Sequence, residues 1–590
     1  MKFSRLAHYF DLIENTPSRL EMTRHLAKLF TEASALEIGP ILYLLQGRIV
    51  PLYVTAEFNM GEKMVIQAAA QAMGQEKGTF EMLFKKHGDI GSAIEELKQY
   101  QASLISHDLS VLEVCSKLRA IVEASGPGSV EKKVSLLSSL IQDLDSLSCR
   151  YVVRIPINKL RLGFSDMTIL DAFSWMLKQD KSMRGVIEKA YHVRPDIGFI
   201  GELLKKHKGK GLENVTPAIF TPILMMRAER LSDPSQIFEK SKNGFIEPKY
   251  DGFRLQAHGK DGVVKLFSRS LEDVTHMYPD VAGAVLHELK FKDIIFEGEA
   301  IGFNPKTGKL LPFQETVQRK RKYDIEEKIK EIPLKFFAFD LLFLNGSSRL
   351  ETPLEERRSQ LTDLIKNTKT ATVNLAPEVR VTSVEIVKKQ FEKSIRDNLE
   401  GIMIKKHDGT YQPNARNWNW IKYKKSYASR VDDTIDCLVM GYDSGQGKRS
   451  GFGIGALLVG VYDAESDDFK TVCKIGTGLT DEEWKLIRVM CDKFKTPKKP
   501  IQYDVDKMMN VDVWVKPSIV LEIRSDEITR SPTHTAGRVL QKTKSGGGME
   551  VKTAGFALRF PRLEKLREDK RPDDVTTVLE VASLFNLQNK

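Results

Sequence analysis

At 590 residues the chain is long enough for three or four domains, and its 41% hydrophobic content is sufficient for ordinary cores. No stretch is apolar for long enough to span a bilayer, which excludes a helical membrane span. The net charge of +11 points to a polyanionic partner, although basic composition alone does not single out nucleic acid.

The five cysteines, Cys115, Cys149, Cys437, Cys473 and Cys491, form no C-x-x-C pair, so a zinc finger is not expected and reduced, buried thiols are. Met1-Lys2-Phe3-Ser4-Arg5 carries no apolar signal region, so a cytoplasmic chain is expected.

Residues 1–210 read as helices. Phe3, Leu6, Phe10 and Ile13 fall on one helical face, and Ser18 with Glu21 marks the start of the next helix. Ser129 opens a run with Val130, Val134, Leu137, Ile141 and Leu144 on one face. Lys159, Arg161 and Gly163 precede a helix expected to be capped by Ser165. That helix N-terminus could receive a DNA phosphate, with the two cations beside it; a plain capped helix with solvated neighbours fits the residues equally well. The basic run 205–210 reads as a solvated linker.

Residues 211–426 alternate strands and helices, as expected of an α+β domain. Strands are predicted at 293–303, 334–344, 379–387 and 400–407, and helices at 312–323 and 353–366. The organising stretch is Glu247-Pro248-Lys249-Tyr250-Asp251-Gly252-Phe253-Arg254. Lys249 sits at a strand end before an Asp-Gly turn. Phe253, Leu255 and Ala257 face one side of the following strand, and Arg254, Gln256 and His258 the other. A hairpin at 259–262 leads to a third strand ending near Arg269. A lysine held among cations loses affinity for its proton, and a neutral amine is a nucleophile. Taken alone, the motif is short, and a surface lysine beside a hairpin is the better reading of the stretch.

Residues 427–590 read as short strands and turns with one helix near 481–494, the texture of an OB-fold β-barrel. The loop Gly445-Gln446-Gly447-Lys448-Arg449 lacks the spacing of a Walker A loop. Lys448 and Arg449 read instead as a basic loop against a DNA backbone.

After Lys249 come, in order, Phe296-Glu297-Gly298-Glu299, Phe337-Ala338-Phe339-Asp340, Glu400-Gly401-Ile402-Met403-Ile404-Lys405 and Trp420-Ile421-Lys422-Tyr423-Lys424. This ordered series resembles the covalent nucleotidyltransferases, and the whole length resembles ATP-dependent DNA ligases of the archaeal type. The resemblance implies a helical DNA-binding domain at 1–210, an adenylation domain at 211–426 and an OB-fold domain at 427–590. It also implies nick sealing in DNA replication, repair and recombination through a lysyl-AMP on Lys249, with ATP as cosubstrate and Mg²⁺ as cofactor.

By the same resemblance Glu247 reads the adenine base and Phe339 stacks on it. Glu299 binds ribose and metal, and Glu400 is the second metal position. Arg254, Arg269, Arg416, Lys422 and Lys424 contact phosphates. Arg559, Arg562 and Lys570 orient pyrophosphate, and the partner is nicked duplex DNA bound by a single chain. Read from the residues themselves, the polar stretch Ser426 to Asp433, between two folded textures, is expected to act as a hinge. Gln101-Ala102-Ser103-Leu104-Ile105 is a degenerate candidate for a sliding-clamp contact, with ordinary helix surface as the alternative. RNA ligases, mRNA capping enzymes and a catalytically inactive DNA clamp share parts of this series. NAD-dependent ligases share the lysine motif but carry a Cys₄ zinc site, which this sequence lacks.

Overall fold

The computed structural model describes all residues except 17, 88, 101–107, 159, 161, 322–324, 367–371, 398, 425–433, 446, 543–548, 589 and 590. The chain divides into two compact units, Met1–Tyr423 and Lys424–Lys590. Among the described residues no helix is long and apolar enough to cross a membrane.

The first unit begins with helices from Phe3–Glu14 to Ile197–His207. Their apolar stripes meet in one core: Phe3, Leu6, Phe10 and Ile13 of the first helix are all fully buried. Ser18 caps Arg19–Glu32 by accepting from the Glu21 N–H at 3.4 Å. The helix Ser129–Asp143 buries Val134, Leu137 and Ile141, but Val130 in its first turn is 50% exposed. Ser165 occupies the N-cap of Asp166–Lys178 without a side-chain hydrogen bond. Asp166 is engaged instead, accepting from Gln46 at 2.8 Å and from Tyr191 at 2.9 Å. The helical region continues into the sheets, because Val193 packs in the same cluster as Met226, Phe339 and Trp420.

Among the described residues, eleven strands follow in the unit: β1 Arg227–Arg230, β2 Phe245–Lys249, β3 Phe253–Lys260, β4 Val263–Ser268, β5 Asp293–Gly302, β6 Leu334–Leu344, β7 Ser347–Ser348, β8 Val373–Leu375, β9 Val379–Arg380, β10 Gly401–Lys405 and β11 Arg416–Lys424. They form two sheets, one in the order β1-β11-β10-β2-β9 and one in the order β4-β3-β5-β6-β7, with β8 beside β6. The β3–β4 turn is Asp261-Gly262, with φ of 49° and 77°; both residues are left-handed, as a tight two-residue hairpin requires. Leu255 and Ala257 enter the core, so the opposite face of β3 presents Arg254, Gln256 and His258.

Two expected elements differ. The strand predicted over 379–387 stops at Arg380, and a helix Val384–Arg396 begins after Ser383, which accepts from the Ile386 N–H at 3.3 Å. That cap outweighs the strand propensity of the β-branched run. The helix predicted over 312–323 is only a short turn, Phe313–Thr316, continued by a 3₁₀ turn Val317–Arg319.

The second unit is sheet-rich. An eight-stranded sheet is centred on the strand Ile435–Asp443, which is covered on both faces. Ile435, Cys437 and Val439 join one cluster, and Leu438 and Met440 another. The helix Asp481–Lys493 is closed at its start by a reciprocal cap between Thr480 and Glu483.

Candidate active site

The site is built where β2 ends beside β10. The two strands are antiparallel with Lys249 opposite Gly401, and the Glu400 N–H donates to the Lys249 carbonyl at 3.1 Å. This register brings the Lys249 ammonium and the Glu400 carboxylate into an ion pair, with both side chains about three-quarters buried. The turn after Lys249 needs its glycine. A Cβ on Gly252 would lie 2.4 Å from the Ala300 carbonyl oxygen, so only glycine lets the turn close onto β5.

Glu299 on β5 stands opposite Arg254 on β3. Burial pushes its carboxyl up to about 7; Lys249 and Arg254 pull the other way, and the Glu400 carboxylate adds to the rise. The native state therefore favours the protonated form. Stability from this group is fully present below the ordinary value of 4.5 and is lost as pH rises through about 7. Glu299→Gln is expected to raise Tm at pH 8, by on the order of 2 kcal/mol of stability. A Tm at pH 8 equal to or below that of the parent protein contradicts this reading.

Behind Lys249, Glu247 is buried against Lys405 at 2.7 Å and Arg358 at 3.6 Å. The Lys405 ammonium lies 4.3 Å from the centre of the Phe339 ring and 4.6 Å from that of Trp420. Phe339 meets Trp420 edge to face at 6.0 Å. Burial lowers the pKa of Lys405, opposed chiefly by Glu247.

The predicted phosphate cations do not behave alike. Arg254 is committed to the protein, donating to Glu297 at 2.7 Å and to the Met226 carbonyl at 2.8 Å. The charged partner in contact with Lys249 is the Glu400 carboxylate. Arg269 and Arg416 are exposed, and Lys422 and Lys424 close β11. Trp420 of that strand is buried, and Trp418 lies under the Lys240 ammonium at 4.2 Å.

Lys159 and Arg161 lie outside the described residues, as do the hinge 426–433, the clamp segment 101–105 and the Lys448 side chain. Gly163 has φ of 84°, a left-handed turn suited to glycine. Arg449 folds back onto its own unit, donating to the Gly455 carbonyl at 2.9 Å and lying 5.2 Å from the Trp484 ring. Also within the second unit, Arg562 pairs with Asp526 at 2.5 Å and Lys570 with Asp436 at 2.5 Å. The Arg559 guanidinium sits 5.3 Å from the Phe560 ring.

Three family models match in chain order: DNA ligase N terminus over residues 2–174, ATP dependent DNA ligase domain over 225–424 and ATP dependent DNA ligase C terminal region over 450–570. A probable DNA ligase from Dictyoglomus turgidum is 44% identical over 100% of this chain and 98% of its own length. The chain belongs to the ATP-dependent DNA ligase family. The DNA ligase of Saccharolobus solfataricus is 36% identical, again over 100% of this chain and 98% of that one. A solved chain called Pmar-Lig_PreS3 has a similar fold, with a TM-score of 0.51 at 15% identity, covering 95% of this chain and 99% of that one. The architecture is that of a three-domain DNA ligase, helical at the N-terminus and sheet-rich in the middle and C-terminal regions.

Within this ligase site, sequence reasoning missed Glu297, Gln256, Tyr411 and Lys405. Glu297 is fully buried and accepts from Arg254, Gln256 and Tyr411, the last two at 3.0 Å. The signal was available: Glu297 and Glu299 are two apart on one strand, so they share a face. Tyr411 lies in a loop with no periodicity to mark it.

Proposed function

We propose that the chain seals nicks in double-stranded DNA in three steps, with Lys249 as nucleophile. The Lys249 amine attacks the α-phosphorus of ATP; a P–N bond forms, the P–O bond to pyrophosphate breaks and the amine proton is lost. AMP then passes to the 5′-phosphate of the nick, and the 3′-hydroxyl displaces it. The observation that carries this reading is the convergence at one strand end of Lys249, Glu400 and Glu299, in a chain matched end to end by DNA ligases.

Lys249 is held at the end of β2 by its pair with Glu400, the carboxylate in contact with its proton. Glu247 and Phe339, braced by Lys405 and Trp420, are assigned to the adenine base. Glu299 and Glu400 offer two carboxylates to a hard cation, and no cluster of three metal-binding side chains occurs among the described residues. Such a pair suits Mg²⁺, which takes its remaining ligands from water and substrate phosphates. Held there, Mg²⁺ would neutralise charge on the α-phosphate.

The division at 1–210, 211–426 and 427–590, the closure of the last part as an OB-fold barrel, and action in replication, repair and recombination belong to this reading. A capping enzyme would use GTP, and the helical N-terminal region matched to DNA ligases disfavours it. The test is a pulse–chase. Label from α-labelled ATP, and not from GTP or NAD, should appear on the protein and then move to the 5′ end of a nicked duplex. Label taken from GTP or NAD instead, or never chased into DNA, contradicts the proposal.

A further inference from the structure

The polar face of β3 holds the segment 220–226, which leads into β1. The Phe220 N–H donates to His258 Nδ1 at 3.1 Å, and the Ile223 N–H to Gln256 Oε1 at 2.7 Å. Gln256 Nε2 donates back to the Ile223 carbonyl at 3.2 Å. The Met226 N–H donates to the Tyr411 hydroxyl at 2.8 Å, and Arg254 donates to the Met226 carbonyl at 2.8 Å. Three of these clamping side chains, Arg254, Gln256 and Tyr411, converge on the one buried carboxylate of Glu297. Arg227, the next residue, therefore leaves a fixed support.

Arg227 Nε donates to the Asn414 carbonyl at 2.9 Å, and across the β1–β11 pairing Arg227 stands opposite Arg416. Arg254, whose guanidinium meets the neighbouring Met226, lies one residue before the Leu255–Ser268 pair; Arg269 directly follows that pair at the same end of the sheet. Arg227, Arg269 and Arg416 are all exposed, and none forms an ion pair with an acidic side chain among the described residues. Partial burial, and then Arg254, Arg227 and Arg416, lower the pKa of Arg269, as expected of like charges set close together, with the Glu299 carboxylate opposing them. Three guanidiniums gathered with no carboxylate in ion-pair contact, and Glu299 acting on Arg269 only as an opposing charge, suit an anion that is absent from the chain itself. The planar fork of arginine matches phosphoryl oxygens two at a time.

We propose that Arg227 is a phosphate-binding residue of the ligation reaction and forms, with Arg269 and Arg416, a three-guanidinium cradle for a phosphoryl group. The proposal rests on the ligase reading. The phosphoryl group belongs either to ATP or to the nicked strand, and two assays separate these sources: adduct formation from labelled ATP, and sealing of a nick that already carries 5′-AMP.

Arg227→Ala, Arg227→Lys and Arg227→Gln are compared in both assays, with Tm measured alongside. Arg227→Ala should cost tenfold or more in at least one assay with Tm unchanged, and Arg227→Lys, which keeps the charge but not the planar fork, should recover only part of the loss. Loss in the first assay assigns the cradle to ATP. Loss in the second, with a salt dependence of DNA binding reduced by about one unit of log–log slope, assigns it to the nick. Glutamine can still donate to the Asn414 carbonyl, so recovery by Arg227→Gln would make the residue a loop brace and overturn the proposal. Both assays within twofold of the parent protein for Arg227→Ala would overturn it too. An absent adduct in the parent protein would overturn the ligase reading, and this proposal with it.

Discussion

Lys249→Ala is expected to abolish the covalent protein–AMP adduct, a loss of at least about 10⁴-fold in self-adenylylation, because no other group can take over a nucleophile's role. The fold should survive. The Lys249–Glu400 pair is about a quarter exposed on each side, and loss of such a partly solvated pair costs about 1 kcal/mol or less. Sealing of a pre-adenylylated nick should persist, since the amine has no bond to make in the last step. If Lys249→Ala lost that step as fully as the first, while retaining its Tm, Lys249 would be acting on DNA rather than as the nucleotide carrier.

The second large effect concerns the C-terminal cations. Removing 556–590 would be uninformative, because β-structure depends on that stretch. Gly555–Arg559 pairs with Glu527–Ser531, Arg562–Leu566 pairs with Val520–Arg524, and Val581 is fully buried in the core. Single substitutions avoid this. Arg562 and Lys570 carry acidic partners, Asp526 and Asp436, so serving pyrophosphate means exchanging a carboxylate for a phosphate. The Arg559 guanidinium lies against the Phe560 ring. Arg559→Ala and Arg562→Ala are each expected to slow adduct formation about 10²- to 10³-fold, the usual cost of removing one donor from a developing charge. Sealing of a pre-adenylylated nick should stay within about threefold of the parent protein. Side-by-side assays decide it, and equal losses on both substrates would show that these residues are not specific to the first step.

Much of the catalytic region was legible because its residues sit on strands, where period two and hairpin signals fix faces and ends. Lys249 at the end of β2, the β3 alternation and the Asp261-Gly262 turn follow from local rules. β6 spans Leu334–Leu344, as its apolar run predicts. What was not legible depends on partners distant in sequence. That Arg254 meets Glu297 and Met226 is set by a register between β3 and β5 and by a segment almost thirty residues earlier. The pairing of Lys249 with Glu400 spans about 150 residues. The helix Val384–Arg396 was hidden because β-branched residues favour a strand locally, and the Ser383 cap decides otherwise.

The central claim is that the ε-amine of Lys249 carries AMP. Incubation of the full chain with ATP and Mg²⁺, followed by proteolysis and mass mapping, tests it most directly. The account predicts an added AMP on the peptide containing Lys249 and on no other, lost on addition of nicked DNA; AMP mapped to a different lysine, with Lys249 unmodified, would contradict it.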